Sequence, residues 1–203
     1  MTLLNVAEIC PATRTLGPGK RFVIWVQGCC FNCRHCVSPE WIPQQQATLV
    51  EPLQLADYIL SVSGTEGLTV SGGEPMLQAA ALGVLFAYLR EHRDLSIMCF
   101  TGFTLAQLQG KSDAAIDRVL ALIDVLIDGQ YVAELNDNQG WRGSANQVVH
   151  FLSPRHLSEA SLFVERKRDV EIHLRDDSAL MVGVPPQDFS NSFKRAIDLG
   201  SRL

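Results

Sequence analysis

Three cysteines near the N-terminus have a spacing that suits metal binding. Cys29, Cys33 and Cys36 form a Cys-x3-Cys-x2-Cys pattern, and their thiolates suit soft metals and iron–sulfur clusters. A cubane cluster has four irons, and clusters that serve electron transfer usually have four protein ligands, so three cysteines would leave one iron free for a substrate. The alternative is a zinc site with Cys30 or His35 as the fourth ligand. Each of these adjoins another ligand, however, and neighbouring side chains rarely converge on one metal.

A second motif, Ser71-Gly72-Gly73-Glu74-Pro75, follows a short β-rich run. Two glycines at the end of a strand let a ligand approach the chain closely and expose backbone amides and carbonyls. Glu74 could accept a hydrogen bond from an ammonium group, and a β-branched residue at Gly73 would fill the space that such a group needs. The alternative is a plain strand-to-helix turn with Pro75 at the first helical position.

Strands alternate with helices along most of the chain. Apolar patterning predicts four strands and a possible fifth, at 22–26, 68–70, 96–100, 125–127 and 148–152, and helices at about 53–60, 78–92 and 114–123. This alternation implies a parallel sheet with right-handed crossovers. Ligands bind at the carboxyl ends of such strands. We therefore expect one rim to collect the cysteine loop, the glycine motif, Thr101-Gly102 and Asp128-Gly129.

The end of the chain has a different pattern. Residues 170–174 alternate with period two, and an Asp-Asp-Ser turn joins them to 179–182, which predicts a hairpin followed by a terminal helix from about Asp188. The basic triplet 166–168 is interpreted as a solvated face. With no long linker, the chain is expected to form one domain over 1–203, with a core at about 20–152 and an extension at about 153–203.

Composition limits the classes of function. Apolar residues make up 47% and charged residues 19%, and the net charge of −5 gives no basic footprint for nucleic acid and no polybasic membrane anchor. No stretch has the roughly 18 to 20 apolar residues of a membrane span, and the N-terminus does not resemble a signal peptide. We therefore expect a cytoplasmic protein. In that compartment, a tight cluster of cysteines indicates metal or redox chemistry rather than disulfides.

Taken together, the cysteine pattern after the first strand and Gly-Gly-Glu-Pro after the second resemble the radical S-adenosylmethionine (SAM) superfamily. Within it, residues 17–22 leading into 26–29 look like the activating enzymes of glycyl radical enzymes. Residues 101–104, 124–129 and 142–147 are similar to the activating protein of the anaerobic ribonucleotide reductase. The resemblance covers about residues 5 to 150.

The resemblance implies a fold, a reaction and a set of ligands. The fold would be an α/β partial (β/α) barrel of the radical SAM type, with the C-terminal β-hairpin and helix added. Three irons of a [4Fe-4S] cluster would be held by Cys29, Cys33 and Cys36, and SAM would chelate the fourth. Gly72, Gly73 and Glu74 would fix the amino group of SAM, and the backbone at His35 would contact its adenine. Reductive cleavage would give a 5′-deoxyadenosyl radical that takes hydrogen from a partner.

The partner is expected to be a glycyl radical enzyme or a similar protein, with an electron donor such as flavodoxin. Hydrogen abstraction from a peptide or small molecule is a second interpretation, and a non-catalytic iron–sulfur or zinc module is a third, which the intact glycine motif disfavours. Asp128 either reaches the ribose or ammonium group of the ligand or stabilises the turn at Gly129. Arg142, Ser144 and Asn146 are left open between ligand contacts and loop architecture. No residue is assigned as catalytic.

Overall fold

The computed structural model describes residues 2–187, together with 189 and 193. Seven strands form one sheet: β1 (Leu4–Thr13), β2 (Arg21–Val26), β3 (Thr48–Val50), β4 (Gly67–Gly72), β5 (Ser96–Phe100), β6 (Val125–Asp128) and β7 (Val148–Phe151). Two further strands form a separate hairpin: β8 (Val170–Leu174) and β9 (Ala179–Gly183). The helices are α1 (Pro52–Ser61), α2 (Ala79–His92), α3 (Leu105–Gly110), α4 (Ala114–Leu122) and α5 (Ala160–Glu165). The architecture is therefore mixed α/β, and the predicted hairpin is confirmed.

The order of the sheet is β3-β1-β2-β4-β5-β6-β7, with β2, β4, β5 and β6 parallel to one another. These four strands correspond to the four that the sequence predicts at 22–26, 68–70, 96–100 and 125–127. The possible fifth strand, β7, exists but runs antiparallel to β6, so the expectation of an all-parallel sheet was wrong there. Residues 129–147 between them contain only a short 3-10 turn at Ala133–Leu135. An antiparallel neighbour needs no crossover helix.

Strands β1 and β3 were not predicted. Strand β1 contains Pro11, and its pairing with β2 shifts register between Cys10 and Thr13. Proline interrupts a ladder of backbone hydrogen bonds and is found at edges and bulges, which weakens the strand signal in the sequence. Strand β3 has only three residues, two of them exposed. Both strands lie at one side of the sheet and pair antiparallel.

The central strands are buried on both faces, as predicted for β2. On one face Phe22, Ile24 and Val26 of β2 pack in the main core with helices α1, α2 and α4. On the other face Val23 and Trp25 pack in a separate cluster. The predicted apolar stripe of α2 is fully buried in the main core, at Leu82, Leu85, Phe86 and Leu89. The sheet therefore separates a helical layer from a second, more irregular layer.

The hairpin covers part of that second layer. Val182 of β9 is buried with Cys10, Leu16 and Trp25, and Leu180 packs against the same cluster. Polar contacts fasten the hairpin to β1 and to the turn after it, among them Arg175 to Glu8 (2.8 Å), the Arg14 N–H to Glu171 (2.9 Å) and the Thr15 hydroxyl to the Val182 carbonyl (2.9 Å). Apart from Phe189 and Phe193, the predicted helix from about Asp188 lies outside the described residues.

The interpretation of 166–168 as a solvated face is wrong for Arg168. Its side chain is only 1% exposed, and its guanidinium donates to the Asn136 side chain (2.7 Å) and to the carbonyls of Arg142 (2.6 Å) and Gly143 (3.0 Å). Burial lowers the pKa of Arg168. The side chain therefore ties the tail of the chain to the loop that follows β6.

No helix among residues 2–187 is long and apolar enough to cross a membrane.

Candidate functional site

One cavity of about 400 Å³ lies where the parallel strands end. All four of the predicted loops contribute to its lining: Cys29, Cys33 and Cys36; Gly72, Gly73 and Glu74; Thr101 and Gly102; Gly129 and Gln130. The volume is within the range of small-molecule sites. The prediction that these loops share one rim is confirmed.

The cysteine loop is fixed at its start by backbone hydrogen bonds. The Gly28 N–H donates to the Trp41 carbonyl (2.9 Å), and the Cys29 N–H donates to the Ile42 carbonyl (2.9 Å). Between residues 30 and 38 the loop forms neither helix nor strand. Its irregular path brings the three spaced thiols to the same cavity, where each is half-buried and free.

Cys30 differs from its neighbours. Its side chain is exposed and is not part of the cavity lining, although Cys29 beside it is. The loop thus separates the three cysteines of the Cys-x3-Cys-x2-Cys pattern from the additional one.

The donor set fits an iron–sulfur cluster. Burial raises the pKa of Cys29 to about 11 and also raises the pKa of Cys36. Metal ligation requires thiolates, so binding of iron would release protons from these groups. In the part of the chain that the structure describes, no group of three or more His, Cys, Asp or Glu side chains is arranged to hold a single metal ion.

The two glycines of the second motif are required by contacts within the protein. A Cβ on Gly72, which has φ 111, would lie 2.3 Å from the Val26 nitrogen, and one on Gly73 would lie 2.2 Å from the Gly28 oxygen. The Gly73 N–H donates to the Val26 carbonyl (2.8 Å) and the Glu74 N–H to the Gly28 carbonyl (2.8 Å). The space beside Gly73 is therefore filled by the cysteine loop. A contact within the protein thus accounts for glycine at this position, and the sequence-based reason, room for a ligand's amino group, stays a prediction.

Glu74 joins two of the loops. Its buried carboxylate accepts hydrogen bonds from the Met76 N–H, the Thr101 hydroxyl and the Gly102 N–H, each at 2.8 Å. Burial raises the pKa of Glu74, and these three donors oppose that shift. A carboxylate offers about four acceptor positions. One position, on the oxygen that faces Gly102, is thus left for a further donor.

The other predicted contacts lie outside the lining or already have partners. His35 is exposed and not part of the cavity lining, and it adopts a left-handed backbone with φ 61, which is uncommon for a residue with a side chain. The Asp128 carboxylate accepts from the Leu105 N–H (2.5 Å) and pairs with His150 (2.8 Å). It supports the start of α3 and does not line the cavity.

The three residues left open in the loop after β6 have contacts within the protein. Arg142 pairs with Asp137 (2.6 Å), the Ser144 hydroxyl accepts from the Val132 N–H (3.1 Å), and the Asn146 amide donates to the Gln130 carbonyl (2.9 Å). These contacts favour the loop-architecture interpretation.

Comparison with known proteins assigns the family. Residues 15–150 match the family described as 4Fe-4S single cluster domain. The anaerobic ribonucleoside-triphosphate reductase-activating protein of Vibrio cholerae is 34% identical over 155 residues, which cover 72% of this chain and 97% of the relative. The chain belongs to this family of activating proteins. The relative of the same name in Escherichia coli K12 is 31% identical over 159 residues, covering 73% of this chain and 99% of the relative.

For a third relative, the match covers a smaller share of both chains. A putative glycyl-radical enzyme activating enzyme of Haemophilus influenzae is 36% identical over 121 residues, covering 58% of this chain and 42% of the relative. Membership of the activating-protein family confirms the resemblance inferred from the motifs, and with it the expectation of an activating enzyme.

An apolar wall of the cavity was missed in the sequence. It combines Leu16, Trp25, Trp41 and Phe100 with a group from the C-terminal hairpin: Ala179, Leu180, Met181, Gly183, Val184 and Pro185. The rings of Trp25 and Trp41 lie 5.5 Å apart. The match to the 4Fe-4S single cluster domain ends at residue 150, so the hairpin lies beyond the matched residues. Alternation predicted the hairpin itself, but no local signal indicated what it would face.

Proposed function

We propose that this chain is a radical SAM activating enzyme that generates a radical on a protein partner of the glycyl radical enzyme class. The observation that carries the proposal is the meeting of three free thiols with the Gly72–Glu74 loop in one cavity, in a chain of the activating-protein family. Cys29, Cys33 and Cys36 would hold a [4Fe-4S] cluster, and SAM would bind at its open iron.

We further propose that the chain is one domain over 1–203 whose sheet is the partial (β/α) barrel of the radical SAM type. Helices cover one face of the sheet, and the opposite face borders the cavity. Strands β3 and β7 end the sheet at its two sides, as required of an incomplete barrel. The core would span about 20–152, with the hairpin in the extension at 153–203.

When bound, the cluster held by Cys29, Cys33 and Cys36 would supply one electron, drawn from a reductant such as flavodoxin, for the cleavage of SAM to methionine and a 5′-deoxyadenosyl radical, which would take a hydrogen atom from the partner. The protein's own residues bind and orient. The backbone at Gly72 and Gly73, together with the remaining acceptor of Glu74, would hold the amino group of SAM. The tryptophan pair and Phe100 would exclude water from the reacting groups.

A protein partner is supported over a small molecule. The relatives are named as activating proteins of a reductase or as glycyl-radical enzyme activating enzymes. A small-molecule substrate would need to share one cavity of about 400 Å³ with SAM. The adenine contact at the His35 backbone and a ligand contact at Asp128 remain predictions that need a bound complex.

The test is SAM cleavage by anaerobically reconstituted protein. With dithionite or flavodoxin as reductant, we expect 5′-deoxyadenosine and methionine in equal amounts, slowly without a partner. Full iron content with no 5′-deoxyadenosine under either reductant would favour a non-catalytic module. One zinc and no iron in protein isolated without oxygen would support the zinc interpretation instead.

A further inference from the structure

Only one strand of the C-terminal hairpin reaches the cavity. Ala179, Leu180, Met181 and Gly183 of β9 contribute to its lining, whereas no residue of β8 does. Strand β8 lies instead against β1, where His173 is 3.7 Å from the Cys10 sulfur. Strand β9 therefore lies between β8 and the cavity.

The register of the hairpin determines which backbone groups of β9 point away from β8. Arg175 donates its N–H to the Ser178 carbonyl (2.9 Å), so these two residues form a hydrogen-bonded pair. Hydrogen-bonded and non-hydrogen-bonded pairs alternate along antiparallel strands. Leu180 and Val182 therefore bond to β8, opposite His173 and Glu171. The other β9 residues direct their N–H and C=O groups away from β8: Ala179, Met181 and Gly183.

Among the described residues, no strand pairs with this edge of β9. Within the described residues, the outward N–H and C=O groups of Met181 and Gly183 have no hydrogen-bond partner in the protein. The strand reads Ala-Leu-Met-Val-Gly and carries no charge. Proteins usually protect an exposed strand edge with lysine, proline or a bulge, because an apolar unpaired edge readily accepts another strand.

We propose that β9 is the docking strand for the protein partner, whose glycine-bearing segment adds to its free edge as a third, extended strand. The inference rests on the proposed function and specifies where the partner binds. An extended segment of about five residues would pair along the five residues of β9, a length of about 16 Å.

The position of β9 explains why a glycine segment suits this edge. The strand and the cysteine loop line the same cavity, so a segment paired with β9 lies beside the site where hydrogen would be removed. Backbone pairing fixes the segment without side-chain contacts, and a residue without a side chain can approach most closely. The hairpin lies beyond the family match, so this mode of docking belongs to the added part of the chain.

Peptide binding tests the proposal without relying on turnover. The probe is a dye-labelled heptapeptide of alternating threonine and valine with a central glycine, added to reconstituted holoprotein without oxygen and followed by fluorescence anisotropy. Two further peptides carry N-methyl groups on alternate residues. In one peptide the methyl groups block the N–H groups along one edge of the extended peptide, and in the other they block those along the opposite edge. A strand pairs through one edge, so we expect one methylated peptide to bind about tenfold more weakly or worse and the other to bind like the parent peptide.

Two proline variants test the protein side. Met181→Pro removes an N–H from the free edge of β9, and Ile172→Pro removes one from the residue directly opposite, on the far edge of β8. We expect Met181→Pro to weaken probe binding about tenfold and Ile172→Pro to leave it unchanged. Iron content reports that each variant still folds around its cluster.

The outcomes separate the docking proposal from the proposed function. Failure of the parent holoprotein to bind the probe, equal loss with both methylated peptides, or equal loss in both proline variants would overturn the docking strand, even if SAM is cleaved. Probe binding along one edge of a protein that holds iron but never releases 5′-deoxyadenosine would retain the docking strand and remove the proposed function.

Discussion

The carboxylate of Glu74 lies 2.8 Å from the backbone nitrogen of Gly102, and this hydrogen bond connects the loop after β4 to the loop after β5. The same carboxylate accepts from the Thr101 hydroxyl and from the Met76 N–H. Three donors on one buried group fix the relative position of two loops that line the cavity. Glu74 is therefore a positioning residue, whatever further contact it makes with a ligand.

Glu74→Gln should destabilise the protein and weaken SAM binding. Glutamine keeps one acceptor oxygen, and its NH₂ group would face N–H or O–H donors, so at least one donor loses its partner at a cost of about 1–3 kcal/mol. Thr101→Val is the graded control, because it removes one donor and leaves the carboxylate with both backbone N–H groups. Urea unfolding and SAM titration measure the two effects. Equal stability of Glu74→Gln and the parent would contradict the positioning role.

The cysteine assignments predict a sharp contrast between adjacent residues. The parent should carry about four irons per chain, and Cys29→Ala, Cys33→Ala or Cys36→Ala should each lose them, because a cubane with three protein ligands cannot spare one. Cys30→Ala should keep the iron, since its side chain is exposed and outside the cavity lining. Iron analysis after anaerobic reconstitution measures this. Equal losses in Cys30→Ala and Cys29→Ala would show that the ligand set is wrong.

Apolar patterns within short stretches of the sequence predicted most of the individual strands and helices. The continuous apolar run of β2, the helical stripe of α2 and the alternation of β8 each follow from the sequence, and the convergence of the loops follows from parallel topology. Strand β1 was missed because Pro11 interrupts its pattern, and the direction of β7 depends on a partner strand far along the sequence. Neither the existence of β1 nor the direction of β7 can be predicted from a short stretch of the sequence.

The sequence predicted which loops line the cavity, but not the contacts that hold their residues in place. Arg168 lies in a basic triplet that is typical of a surface, but in the fold its guanidinium donates to the carbonyls of residues 142 and 143. Asp128 has the type and position of a ligand contact, yet the chain folds His150 and Leu105 against it. Such partners come from distant segments, and no spacing rule identifies them.

Gly73→Ala should reduce iron content and SAM turnover together. The new Cβ would lie 2.2 Å from the Gly28 oxygen, so the contact between the glycine motif and the base of the cysteine loop must open. Gly110→Ala is the matched control, since a Cβ there meets nothing within 4 Å and alanine favours a helix. Iron content and 5′-deoxyadenosine release are measured side by side. A Gly73→Ala protein with full iron and no turnover would instead favour a direct clash with SAM.

Asp124, which lies outside the cavity lining, should make the free energy of unfolding depend on pH. It accepts hydrogen bonds from the Ser153 hydroxyl (2.6 Å), the Ile97 N–H (2.8 Å) and Arg90 (2.8 Å). Burial alone would raise the pKa of Asp124, but these hydrogen bonds together outweigh it, so its pKa is lowered. A carboxyl group with a lower pKa in the folded state stabilises the fold above its unfolded pKa, about 3.9, and this contribution is lost as the pH falls through the folded pKa.

Asp124→Asn should therefore lower the free energy of unfolding most at neutral pH, and the difference from the parent should shrink as the pH falls below about 4. Asp94→Asn is the control, because the Asp94 side chain is 82% exposed and pairs with Arg155 at the surface. Exposed pairs contribute about 0–1 kcal/mol, so this variant should follow the parent. Urea unfolding across the pH series measures both. A difference between Asp124→Asn and the parent that stays constant from neutral to acid pH would show that charge on Asp124 contributes nothing to stability.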